Sequence, residues 1–397
     1  MAGTSALATL AAAGGLSALA WLGVLVDPTR ARDLRPVGDD GPEPPTPGEW
    51  PPVVAVVPAR NEAGILPGTL PALLAQDYPG PFEVLLVDDR SGDGTAMVAR
   101  ELAGGDARAT VVAGEPLPEG WTGKVWALDQ GCRAAALRAG AEPPAFYLFT
   151  DADIRHGPRS LRRLVAESEA ARLALNSRMA LLRTRTGAER LLIPPFVFFF
   201  NLLYPMRRVN DRRRRIAAAA GGCMLVRREA LERAGGPAAI KGEIIDDVNL
   251  ARRVKALGEP IRLATSRSEV VSLREYGSVP AVWRMVRRTA FDQLRYSWLL
   301  LAATVIGLVL LFLLPPLLVV LACVLGAAGE ISPEWALLLG LVGLVAWGLS
   351  AATYRGAIRL FGLPERWAVT LPLAGILFGG MTVDSAIKHL LGRRRVW

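Results

Sequence analysis

Short β-branched runs in this chain end on pairs of carboxylates, and stretches long and apolar enough for a membrane enclose them. EVLLVDD closes on Asp88 and Asp89, and FYLFTDAD closes on Asp151 and Asp153. A third pair, Asp246 and Asp247, lies in EIIDDVNLARRV. Buried apolar runs of this kind are parallel strands, so the first two pairs emerge at strand C-terminal ends. Open α/β sheets place their ligand crevice there. Carboxylate oxygens at that position suit a hard cation and a phosphate-bearing substrate.

The pattern around these runs sets the fold class. Val53–Val57, Glu83–Val87, Thr110–Val112 and Tyr147–Thr150 read as strands. Helical stretches near Leu66–Ala75, Thr95–Ala103 and Lys124–Arg138 alternate with them. Such alternation predicts an α/β domain with a mostly parallel sheet covered by helices. We place this domain at 53–297, after an N-terminal anchor at 1–27 and a Pro-rich linker at 28–52, and before a membrane region at 298–397.

Thr4 to Val26 carries no charge and is long enough to span a bilayer. It is too long for the apolar part of a signal peptide and lacks a basic start. Arg30, Arg32 and Arg35 follow it, which puts its C-terminal end and the α/β domain in the cytosol. Trp298–Gly326, Trp335–Thr353 and Trp367–Ala386 are three further candidate spans, so the expectation is a multi-pass protein of the cell membrane. Pro315-Pro316 kinks or splits the first of them. Four crossings leave the tail outside, yet Lys388, Arg393, Arg394 and Arg395 favour the cytosol, and the two signals conflict.

A shorter apolar run, LLIPPFVFFFNLLYP at Leu191–Pro205, falls inside the domain, followed by Arg207, Arg208 and Arg212 to Arg215. It reads either as a core helix with a solvated basic loop or as an interfacial helix with arginines on lipid headgroups. We take the interfacial reading as the expectation.

Composition narrows the function classes. The net charge is +9, but the arginines cluster beside apolar runs, which fits anionic headgroups better than nucleic acid. Cys132, Cys223 and Cys323 form no CxxC pair, so neither a disulfide framework nor a zinc site follows. With only two histidines, His156 and His389, a Ser-His-Asp hydrolase is disfavoured.

Other motifs add chemistry. VVPARNEAGIL runs from a strand into a helix start that can face an anion. In VDDRSGDGT, Asp88 or Asp89 either caps a helix or accepts hydrogen bonds from a nucleoside. Lys124, after Gly123 in WTGKVWALDQG, is a surface lysine or one that reaches a diphosphate. Asp151 and Asp153 make an ordinary turn or hold Mg²⁺ or Mn²⁺. Gly221–Gly236 offers small residues that leave room for an acceptor. Asp247 either caps its helix or acts as a general base, with Asp246 beside it.

In this order and spacing, PARNEA, VDDRSGDGT, GKVWALDQG, TDADI and IDDVNLARRVKALG resemble glycosyltransferase family 2, which has the GT-A fold. The likeness runs from Val53 to about Arg288. EPLPEGWTGKVWAL, IPPFVFFFNLLYP, RRRRIAAAAGGCMLVRREAL and WRMVRRTAFDQLRYS are similar to the hopene-associated glycosyltransferases of hopanoid biosynthesis. The resemblance implies a nucleotide-sugar donor, UDP-linked by family habit, and a hopanoid or isoprenoid lipid acceptor. It implies donor contacts from Ala59, Arg60, Glu62, Asp88, Asp89, Lys124 and Asp151. It also implies a metal on Asp153 and Asp151, and catalysis by Asp247 with Asp246.

Two departures stand out. Asp129 replaces an Asn common in the family. Arg284-Met-Val-Arg287-Arg288 stands where polymerising relatives have QxxRW. It keeps cations for a diphosphate, so Arg284, Arg287 and Arg288 join the donor contacts, but it loses the Trp. A processive polysaccharide synthase and a catalytically silent nucleotide-binding scaffold are the alternatives. A nucleotidyltransferase lacks its Gly-rich opening here.

Overall fold

The computed structural model describes residues 2–29, 34, 43–138 and 143–392. They form two compact units. Arg30, Arg32 and Arg35, and the tail arginines 393–395, lie outside the described residues.

The first unit holds the described residues of Pro36–Arg183 and Met206–Glu275. Its strands are β1 (Val53–Ala59), β2 (Phe82–Asp88), β3 (Ala109–Ala113), β4 (Phe146–Thr150), β5 (Ile154–His156), β6 (Leu175–Met179), β7 (Cys223–Arg227), β8 (Ile261–Thr265) and β9 (Val270–Ser272). Seven form one sheet in the order β3-β2-β1-β4-β7-β6-β8, and β5 pairs with β9 apart from it. β1 to β4 run parallel, while β7 is antiparallel to both its neighbours. Every residue of β1 and β4 is buried, as expected of central strands covered on both faces. The order reverses between β1 and β4, so the crevice opens beyond the C-terminal ends of β1, β2 and β4.

One proline sits in this central sheet, and the register explains it. β1 pairs with β4 only from Val53 to Val56, whereas its pairing with β2 continues to Ala59. Pro58 therefore lies where β1 has lost one neighbour and an amide is dispensable. The four strands and three helical segments expected for this half appear within a few residues of their expected limits. The one change is that Leu66–Gly68 is a 3-10 turn leading into the Leu70–Leu74 helix.

The second unit holds the described residues of Met1–Arg35, Thr184–Pro205 and Tyr276–Arg395. Four of its helices are long and apolar enough to cross a membrane: Thr4–Val26, Trp298–Ala327, Pro333–Leu360 and Glu365–Leu390. Small residues let them pack closely. A Cβ on Gly14 would lie 2.5 Å from Leu318 Cδ1 and 2.7 Å from Val342 Cγ1.

Trp298–Ala327 stays continuous despite Pro315-Pro316. A π-turn at Val309–Leu313 precedes the prolines. Pro315 cannot donate to the carbonyl of Leu311, and the indole Nε1 of Trp21 donates to it instead at 3.1 Å. Trp21 is 2% exposed, so this replacement is made in a dry interior.

The sequence reading places 191–205 in the 53–297 domain as an interfacial segment. The structure groups it with the apolar helices instead. The Gly187–Leu203 helix starts on a capping box between Thr186 and Glu189. Glu189 also accepts the amides of Tyr276 and Gly277 at 3.1 Å each. Leu192, Ile193 and Phe198 are fully buried. Phe198 meets Trp21 and Tyr354, and Phe199 meets Phe312 and Phe378. Phe198 thus has no surface left for lipid.

Candidate active site

Beyond β1 and β2 the two connecting loops are stitched together. Asn61 holds a left-handed conformation (φ 56°), which Asn tolerates better than most residues. Its amide donates to Ser91 Oγ, and its side-chain oxygen accepts the amide of Gly92, both at 2.9 Å. The amide of Glu62 donates to Thr95 Oγ1, and that of Ala63 to Asp93. The polar residues of RSGDGT therefore serve largely to fix the PARNEA loop.

The first acidic pair divides its tasks. Asp89 is 2% exposed and accepts from Arg60 Nη1 at 3.0 Å. Asp88 Oδ1 is buried without a hydrogen-bond partner among the described residues. The orphaned acceptor is thus on Asp88. A Cβ on Gly114 would lie 2.6 Å from the Asp88 carbonyl, so only glycine lets the end of β3 approach this point. Ala59, expected among the donor contacts, is fully buried at the end of β1. Its carbonyl accepts the amide of Asp89 and so positions that residue.

Lys124 gathers the second and third pairs. It opens the Gly123–Arg138 helix, and its ammonium lies 2.9 Å from Asp151 Oδ1 and 3.2 Å from Asp246 Oδ2. Burial alone would lower its pKa, but Asp151, Asp246 and Asp247 outweigh it and raise the pKa. Asp247 opens the Asp246–Ala256 helix, and its two oxygens accept the amides of Gly221 at 2.8 Å and Val248 at 2.7 Å. Burial, then the charge of Asp246, pushes its pKa up to about 6, with Lys124 pulling the other way. Of the two neighbours, Asp246 is buried and Asp247 is half-buried. A Cβ on Gly221 would lie 2.9 Å from Lys124 Nζ and 3.3 Å from Asp247 Oδ2, so this glycine is the space between them.

Asp153 stands in a separate contact set. Its Oδ2 accepts from Ser272 Oγ at 2.6 Å and lies 3.4 Å from Arg274 Nε. Burial, then Asp151, raises its pKa. Arg274 also reaches Glu62, Nη2 to Oε1, at 2.5 Å. Burial raises the pKa of Glu62, against the pull of Arg274. The sequence reading missed Ser272 and Arg274. They alternate on extended chain, but only the β5–β9 ladder, with Ile154 opposite Ser272, brings them to Asp153.

Two expectations resolve elsewhere. The charge of Asp129 is met one helical turn on by Arg133 at 3.0 Å, and Arg133 also lies over the Trp126 ring. Arg284, Arg287 and Arg288 belong to the apolar unit. There, Arg287 Nη1 pairs with Asp384 at 3.0 Å, and Trp283 Nε1 donates to the same oxygen at 2.6 Å.

The order of these groups along the chain is that of one enzyme family. The model of the family described as "Glycosyltransferase like family 2" matches residues 51–294. The chain belongs to family 2. It is a glycosyltransferase, and its α/β unit has the GT-A fold. An N-acetylglucosaminyltransferase of Mesorhizobium japonicum is 30% identical over 193 residues, which is 48% of this chain and 42% of that protein. The chain thus spans less than half the length of that relative. Among solved structures, this glycosyltransferase is similar to the mannosyltransferase PcManGT from Pyrobaculum calidifontis, determined with GDP-Man and Mn²⁺. The likeness is one of fold: 23% identity, a TM-score of 0.56, and coverage of 97% of this chain and 99% of the other.

The residues of this glycosyltransferase fit one kind of cation site. No cluster of three His, Cys, Asp or Glu side chains able to hold a metal occurs among the described residues. Asp151 and Asp153 follow β4 directly and would supply one or two carboxylates to such an ion. A hard cation that takes one or two carboxylates, then phosphate oxygens and water, suits that supply.

Proposed function

We propose that this glycosyltransferase moves a sugar, with inversion, from a nucleotide diphosphate donor to a hydroxyl of a polycyclic or isoprenoid lipid in hopanoid metabolism. The donor is UDP-linked in this reading. The supporting observation is the geometry of Lys124. One ammonium holds Asp151 on the donor side and Asp246 on the side of the base, with Gly221 leaving the gap. Four membrane-length helices in the same chain support an acceptor drawn from the bilayer.

In this mechanism Asp88 accepts from the nucleoside through its unused oxygen. Lys124 faces the diphosphate and offsets its charge. A divalent cation on Asp153, with Asp151 beside it, would add positive charge at the leaving group. Asp247 takes the proton of the acceptor hydroxyl as that oxygen attacks the anomeric carbon. The bond from that carbon to the diphosphate breaks, and the nucleotide leaves. A pKa of about 6 keeps Asp247 ionised at neutral pH yet more basic than an ordinary carboxylate. Asp246, buried and paired with Lys124, positions the lysine.

The test uses full-length protein in detergent, with labelled UDP-glucose, UDP-N-acetylglucosamine and GDP-mannose in turn and a hydroxylated hopanoid as acceptor. Label in one lipid product per acceptor supports the proposal. Label in long polymer favours a processive synthase. Donor binding without any transfer to lipid favours the silent scaffold. The proposal also puts the α/β unit in the cytosol. A cysteine at the exposed Arg100, in a background lacking Cys132 and Cys323, should resist an impermeant thiol reagent in intact cells.

A further inference from the structure

β9 ends at Ser272, opposite Ile154 of β5, and the chain leaving it is tied to the metal-ligand loop. The amide of Leu273 donates to the Asp153 carbonyl at 2.9 Å, and Ser272 Oγ donates to Asp153 Oδ2 at 2.6 Å. The amide of Arg274 donates in turn to Ser272 Oγ at 3.3 Å. These bonds deliver the Arg274 guanidinium to two acids far apart in sequence. Nε lies 3.4 Å from Asp153 Oδ2, and Nη2 lies 2.5 Å from Glu62 Oε1. The carboxylates are nearly buried, at 10% and 15% side-chain exposure, whereas the arginine side chain is 41% exposed. The cation is thus the more exposed partner of the three.

A guanidinium on Asp153 occupies the charge position that a divalent cation would take. Two positive groups on one carboxylate oxygen repel strongly in a partly dry site. We infer that Arg274 is an internal counter-ion of the donor site, holding Asp153 and Glu62 while no metal is bound and yielding Asp153 when the cation and donor enter. This rests on the reading of Asp153 as the metal ligand. The device has a physical use. Two nearly buried carboxylates without a cation would be costly, and Arg274 offsets their charge and holds both in place. Once displaced, a planar guanidinium beside an incoming diphosphate is suited to bidentate contact with phosphate oxygens.

The test is Mn²⁺ binding to the full-length protein without nucleotide, read by the loss of free Mn²⁺ signal in electron paramagnetic resonance. Arg274→Gln removes the competing charge and should tighten Mn²⁺ binding by about tenfold, a usual size for coupling between competing ligands. Arg274→Lys keeps a charge but not the guanidinium fork, and should fall between the glutamine variant and wild type. Mn²⁺ affinity equal to or weaker than wild type in both variants overturns the inference. Asp153→Ala separates the two levels. If it removes Mn²⁺ binding while the Arg274 variants change nothing, only the counter-ion role fails. If Asp153→Ala binds Mn²⁺ as wild type does, the metal-ligand reading itself is wrong.

Discussion

Replacing Lys124 by Gln should move the pH dependence of turnover in a calculable direction. Asp247 works as a base only when ionised, so turnover should rise with pH through a midpoint near its pKa of about 6. Burial and Asp246 raise that pKa, and Lys124 lowers it. Without the ammonium, the pKa climbs further and the acid limb of the profile moves to higher pH. For unit charges about 5 Å apart at an effective dielectric of about 20 to 40, the coupling is about 1.5 to 3 kcal/mol, or about one to two pH units. Lys124 is 26% exposed on its side chain, which places the expectation at the lower end, about one unit. The assay is single-turnover transfer at saturating donor from about pH 5 to 9, which isolates the chemical step. Lys124→Arg, retaining charge, should restore most of the midpoint. The KM for donor should rise in the glutamine variant, because the diphosphate loses a cation. An acid limb with the same midpoint in wild type and Lys124→Gln would refute the electrostatic coupling of Lys124 to the base.

Three further outcomes are expected. Gly221→Ala puts a methyl 2.9 Å from Lys124 Nζ and should cut kcat/KM at least about tenfold, measured by transfer assay, with little change in thermal stability. Asp88→Ala removes the unpaired acceptor and should weaken nucleotide binding by about tenfold in calorimetry, the value of one hydrogen bond to a charged group, while metal dependence persists. Trp21→Phe leaves the Leu311 carbonyl without its replacement donor and should destabilise the apolar unit by about 1 to 3 kcal/mol, seen as a lower thermal midpoint in detergent.

The fold was legible because its signals are local. β1, β2 and β4 are short apolar runs, the last two leading into carboxylates, and all three strands lie where the pattern places them. The division of labour within each acidic pair was not legible, because it depends on burial. Nothing in the letters DD says that Asp89 turns inward to Arg60 while Asp88 keeps an open oxygen. Arg274 was hidden for a different reason. Its partner Asp153 lies 121 positions earlier, and one arginine among 46 basic residues carries no mark of its pairing. The packing of the Leu191–Pro205 run was not legible either. A Phe-rich stretch before arginines looks the same whether its rings meet lipid or, as with Phe198, other aromatic side chains.

The central claim is that Asp247 deprotonates a lipid hydroxyl attacking a nucleotide sugar, and Asp247→Asn tests it most directly. Asn still caps a helix well, so loss of a cap alone would leave turnover nearly intact. The measurement is single-turnover sugar transfer to a hydroxylated hopanoid by wild type and variant, with donor affinity measured in parallel. The account expects turnover to fall by about 10²- to 10⁴-fold, with donor affinity changed little. Near-normal transfer by the Asn variant would contradict it and leave Asp247 as the acceptor of the Gly221 and Val248 amides alone.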